Sequence, residues 1–321
     1  MSTPVPEPPS APPSEPAPPA SDSTSVAYVA KTHLALFFVQ LAFASQAVES
    51  KVAMLPRSEG GLGISPEAIA LMRMVFAALV FQVIFRAKKL PMPSWQDLGR
   101  VFGLSLVGIT INQMLFLAGL KRTTPFVAAL LSVTIPLASA ALSALFRKER
   151  FTLATGVGLL LGGSGVVILA GWGSLDRGAV LVAVNSVCYA TYVVLSRDTV
   201  RKLGAITLMT WLFAFGALSY FPFGIGALVR DYAHPSPLAL LFGVYVVVVP
   251  TVLAYLANAW ALGRSGPSLV TAYIYLQPAI AAILAWFQLG THIPERAILA
   301  TPLIALGVFV VSMRFRARAR A

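Results

Sequence analysis

Apolar residues in this chain run in long blocks and do not alternate with polar ones. The windows 123–146, 151–170, 203–229, 235–263 and 265–290 contain no Asp, Glu, Lys or Arg. About 20 such residues make a helix long enough to cross the hydrocarbon core of a bilayer. Inside lipid the backbone must satisfy its own hydrogen bonds, which leaves only helices and closed barrels. A barrel would show roughly ten-residue alternating strands, so the pattern predicts an all-α transmembrane protein. The expected helices are 33–54, 66–85, 98–119, 125–146, 151–170, 178–196, 206–229, 237–261, 267–287 and 297–313. Ser65-Pro66, Thr124-Pro125 and Gly266-Pro267 mark helix starts, where proline's missing N–H costs little.

Composition agrees: 57% of the 321 residues are hydrophobic and 11% charged, against roughly 25% charged in a soluble domain. Residues 1–27 are a separate zone with nine prolines between Pro4 and Pro19, expected to be a disordered cytoplasmic tail. The net charge of +12 lies mainly in short runs between the apolar windows, which argues against nucleic acid as a partner. With the N-terminus inside, 16 Lys and Arg fall on the cytoplasmic side and seven opposite. That bias places both termini in the cytoplasm of an inner-membrane, multi-pass protein. The tail 314–321, with an arginine at every second position up to Arg320, is expected against anionic lipid headgroups or solvated.

The two halves repeat. Leu120-Lys121-Arg122-Thr123-Thr124-Pro125 matches Leu262-Gly263-Arg264-Ser265-Gly266-Pro267, and the same register pairs Pro136 with Pro278 and Gly165 with Gly307. The expected architecture is ten helices in two five-helix repeats, 28–170 and 171–313. Five is odd, so the second repeat is inverted relative to the first, an arrangement typical of secondary transporters.

The chain resembles the drug/metabolite transporter superfamily, specifically its EamA-type ten-helix exporters, over roughly residues 33–313. Ser45-Gln46 followed by Lys51, Ser65-Pro66 followed by Arg73 and Ala77-Ala78, and the segment 120–136 with Glu149 and Gly165 carry the likeness. The resemblance implies export of small metabolites, including amino acids and aromatic ones among them. Drug and nucleotide-sugar carriage are implied as well.

Arg73 stands in the second apolar window, where an ionisable group is expected to face protein, water or a counter-charge. Gln46, Gln113, Asn258, Tyr273 and Gln277 are further pathway or substrate-binding candidates; amides in hydrocarbon otherwise bond neighbouring helices. Glu49 and Lys51, with Arg73, are candidates for charge pairing or coupling. The Gly158 and Gly162 face suits close helix packing.

No phosphate-binding loop and no His/Cys ligand set occurs, so an enzyme, a cofactor and a metal are not expected. The expected function is a secondary transporter exporting small amphipathic metabolites by alternating access. Its expected partners are a small-molecule substrate and membrane lipids, and the chain is read as a monomer with a homodimer left open. A facilitative uniporter is the nearest alternative; a lipid-handling or structural membrane protein is the alternative of another class.

Overall fold

The computed structural model describes residues 26–289 apart from 133, 148–151 and 171–176, together with some residues between 295 and 310. The tail 1–25, the basic tail 314–321, Glu149 and most of the tenth apolar window lie outside the described residues. Helix α1 runs Val26–Met54, so the last two residues of the expected tail are already helical. Next come α2, Pro66–Ala87; α3, Trp95–Arg122; and α4, Pro125–Leu145. Then follow α5, Leu153–Ala170; α6, Arg177–Leu203; α7, Ala205–Asp231; α8, Pro237–Arg264; and α9, Pro267–Gln288. Eight of these, all but α5, are long and apolar enough to cross a membrane, and the described residues contain no strand.

Local chemistry sets the ends. The hydroxyls of Ser65, Ser94 and Ser236 accept from the backbone N–H groups of Ala68, Asp97 and Ala239, satisfying donors that the first helical turn leaves free. Between α6 and α7 a single residue, Gly204, turns the chain at φ +77, a left-handed value that a side chain disfavours.

Two helices share an irregularity. Helix α3 opens into a π-helical turn at Leu106–Ile111 and α8 does so at Val248–Leu253. These turns start 142 residues apart, the separation that also relates Gln113 to Tyr255. The caps Ser94 and Ser236 and the helix ends Arg122 and Arg264 keep the same spacing.

Packing follows a reciprocal scheme: α1 lies against α8 and α9, α6 against α3 and α4, and α2 against α7. Where helices approach most closely, glycine makes room. A Cβ on Gly162 would sit 2.3 Å from the Tyr275 ring, and one on Gly307 would sit 2.6 Å from the carbonyl oxygen of Gly158. On the outside, Leu79, Val83, Leu160, Leu218, Phe223 and Leu241 stand exposed, an apolar perimeter suited to lipid.

Candidate functional site

The site forms around the two π-helical turns. A π-helical turn adds a residue to a helix and changes the facing of the side chains after it. Directly after the turn in α3 come Asn112 and Gln113; directly after the turn in α8 come Ala254 and Tyr255. Gln113 Nε2 donates to Tyr255 Oη at 3.2 Å and to Asn112 Oδ1 at 3.2 Å.

Arg73 of α2 holds this junction from behind. Only 2% of its surface is exposed. Its Nε donates to Thr251 Oγ1 at 2.7 Å and its Nη1 to Gln113 Oε1 at 2.6 Å. Thr251 in turn donates to the carbonyl of Val246 at 2.6 Å, inside the irregular stretch of α8. One guanidinium thus ties α2 to both π-helical regions. Among the described residues no carboxylate lies within 4.0 Å of it.

In front of Gln113 and Tyr255 lies a cavity of about 70 Å³. Helix α1 contributes Phe43, Gln46 and Ala47; α3 contributes Asn112, Gln113 and Phe116; and α4 contributes Ser132 and Ile135. Asn185 and Tyr189 come from α6, Tyr255 from α8, and Ile274 and Gln277 from α9. Five pairs in this wall share the Gln113–Tyr255 separation of 142: Phe43 with Asn185, Ala47 with Tyr189, Gln113 with Tyr255, Ser132 with Ile274, and Ile135 with Gln277. Asn185 Nδ2 donates to the Asn112 carbonyl at 2.9 Å, and Asn258 Nδ2 to Tyr189 Oη at 3.2 Å. The Tyr255 ring meets Phe43 and Phe213 edge-on, at 5.4 and 5.2 Å. The lining is therefore amides and phenols set among aromatic faces, the composition of a pocket for a small amphipathic molecule. Its volume is below the roughly 300 Å³ at which ligand pockets begin, so a substrate enters only when the walls part.

Of the residues singled out in the sequence, Gln46, Gln113 and Gln277 line this cavity. Gln277 follows a 3-10 turn, Tyr273–Leu276, and donates to Gln40 Oε1 at 2.7 Å. Arg73 stands one hydrogen bond behind the wall, and Asn258 is bonded to a lining tyrosine. Tyr273 is placed elsewhere, hydrogen-bonded to His33 Nδ1. Glu49 accepts from Gln288 Nε2 and does not reach Arg73. Lys51 donates to the carbonyls of Leu120, Lys121 and Thr123 at the end of α3, where a cation also favours the helix dipole. Asn112, Asn185, Tyr189 and Tyr255 also line the wall and are not among those candidates. The repeat register carries the candidate Gln113 onto Tyr255, a signal present in the sequence.

The fold is a bundle of membrane-length helices with amides and phenols in the wall of an internal cavity, and its class is that of membrane transporters. The chain belongs to the EamA-like transporter family, which matches it twice, over residues 30–171 and 176–313. An uncharacterized transporter of Bacillus subtilis, YdfC, is 28% identical over 258 residues, covering 78% of this chain and 83% of that one. A probable terminal-alkyne amino-acid exporter of Streptantibioticus cattleyicolor is 24% identical over 263 residues, covering 81% of this chain and 88% of the exporter. A solved crystal structure, 19% identical, superposes with a TM-score of 0.67 over 90% of this chain and 98% of its own, a likeness of fold.

Proposed function

We propose that the protein is a secondary transporter that exports small amphipathic metabolites, amino acids including aromatic ones among them. In this reading ten helices form two inverted five-helix repeats, 28–170 and 171–313. They exchange conformations about the central cavity of an inner-membrane protein with both termini in the cytoplasm. The observation that carries the reading is the cavity wall itself: polar groups gathered inside an apolar bundle, in a wall whose residues come pairwise from corresponding positions of the two matched segments. A site on the junction of two similar halves is the natural place for alternating access. The Streptantibioticus relative, a probable terminal-alkyne amino-acid exporter, supports the same class of substrate.

Counterflow into proteoliposomes loaded with a panel of amino acids tests this. Saturable exchange of one or more aromatic or aliphatic amino acids is expected. Absence of saturable flux for every polar metabolite tried would sink the substrate reading. No carboxylate lines the described cavity, so flux is expected to follow the substrate gradient and to persist when the pH gradient is collapsed.

A further inference from the structure

The direction of the hydrogen bonds around Arg73 determines what the cavity offers a ligand. A guanidinium can only donate, so the oxygen of Gln113 must be the atom facing Arg73 Nη1. The amide nitrogen of Gln113 is then turned towards Asn112 and Tyr255. That nitrogen can only donate, so Tyr255 Oη accepts from it, and the phenol's own O–H remains to be given. Tyr255 lines the cavity, and among the described residues its hydroxyl donates no hydrogen bond. Gln46, also in the wall and 4% exposed, has its Nε2 without a hydrogen-bond partner. The cavity therefore presents unspent donors, and the chain behind one of them begins at a buried positive charge that no carboxylate among the described residues neutralises. A buried charge of this kind is costly until a counter-charge arrives, and a relay in low dielectric is polarised by it.

We propose that Tyr255 recognises a carboxylate of the transported molecule through its phenol O–H. Arg73 acts behind it as a positioning residue, fixing the Gln113 amide and so the direction of the relay. The inference rests on the transporter reading above and narrows it: the substrate class is a carboxylate-bearing amphipath, and an amine that lacks the carboxylate is a poor ligand. The donors stand ready in the resting structure, as in a site preorganised for negative charge.

Three probes with one aromatic ring separate the contributions: phenylalanine, 3-phenylpropionate and phenethylamine. Each is titrated against the purified full-length protein, reading the shift in melting temperature, and phenylalanine is also followed by counterflow. Phenylalanine and 3-phenylpropionate are expected to stabilise the protein and phenethylamine to leave it unchanged. Tyr255→Phe keeps the ring and its contacts with Phe43 and Phe213. It should weaken both carboxylates about tenfold, the effect of losing one hydrogen bond to a charged group, while the melting temperature without ligand stays within a few degrees. Arg73→Met should cause a similar weakening, and the double variant no more than either single one, because the two residues act in series. Additive losses in the double variant would instead assign Arg73 a separate, structural role and overturn the relay. Equal stabilisation by phenethylamine, no shift with any probe, or equal weakening of acid and amine by Tyr255→Phe would each overturn the assignment of Tyr255. Carboxylate binding without counterflow would leave this inference standing and remove the transporter reading, so the two failures are distinct.

Discussion

Gln113 and Tyr255 are hydrogen-bonded at 3.2 Å although 142 residues separate them, and each stands two residues past the end of a π-helical turn. Residues at corresponding positions of two repeats can touch only where the axis relating the repeats passes between them. In the alternating-access mechanism proposed above, the pair lies where movement of one half against the other would be felt first. A single atom changes the chemistry there. Gln113→Glu would put a carboxylate 2.6 Å from Arg73 Nη1, in place of the amide oxygen, supplying a counter-charge that the described residues lack. The variant is expected to melt several degrees higher, from about 1.5–3 kcal/mol for a charge-assisted bond. Its carboxylate has no N–H for Tyr255 and reverses the relay, so counterflow should drop about tenfold or more. A variant with wild-type flux would contradict the placement of this pair on the transport path.

The close approach of α5 to α9 gives a prediction with an internal control. Gly162 and Gly163 are adjacent, but a Cβ on the first would lie 2.3 Å from the fully buried Tyr275 ring, while one on the second meets nothing within 4 Å. Gly162→Ala should cost about 1–3 kcal/mol through overpacking. Gly163→Ala should be neutral or gain up to about 1 kcal/mol from helix propensity. Thermal melting of the two variants side by side measures the difference, and equal stabilities would count against the packing.

Lys51 closes the end of α3 from a distance. Its ammonium donates to three carbonyls, of Leu120, Lys121 and Thr123, at 3.1, 3.0 and 2.8 Å. Lys51→Met removes all three while keeping the apolar stem, with an expected loss of about 1–3 kcal/mol. The side chain is not part of the cavity wall, so the substrate concentration at half-maximal flux should not move. A shift in that constant with unchanged stability would point to a pathway role instead.

Hydropathy and proline marked most of this architecture in advance. The starts at Pro66, Pro125, Pro237 and Pro267 are where the helices begin, because an N-terminal proline is a local signal that tertiary packing does not override. Helix α3 extends three residues further at each end than the apolar window, from Trp95 to Arg122, since polar residues continue a helix past the hydrocarbon. The π-helical turns left no such mark: Leu106–Ile111 is as apolar as its surroundings, and the extra residue shows only in hydrogen bonding. For the same reason the amides were visible as candidates while their partners were not. Gln113 announces itself in an apolar window, whereas Tyr255 is one aromatic among many until the repeat register aligns the two. Arg73 was legible as an oddity of charge, but its bond to Thr251 depends on the irregular turn in α8.

The orientation in the membrane can be decided by chemical access from one side. The turn at Arg57–Glu59 and the junction at Lys88 are both exposed and lie at opposite ends of α2. The excess of Lys and Arg lies on the Lys88 side, which the positive-inside rule assigns to the cytoplasm. Lysine 202 packs there too, paired at 2.7 Å with Asp97 near the start of α3. In a background where the single Cys188 is replaced by serine, Glu59→Cys is expected to react with a membrane-impermeant maleimide in intact spheroplasts. Lys88→Cys should react only after the membrane is opened. The reverse pattern would invert the molecule and turn the proposed exporter's cytoplasmic face outward; labelling of both positions in intact spheroplasts would mean that α2 does not span the bilayer.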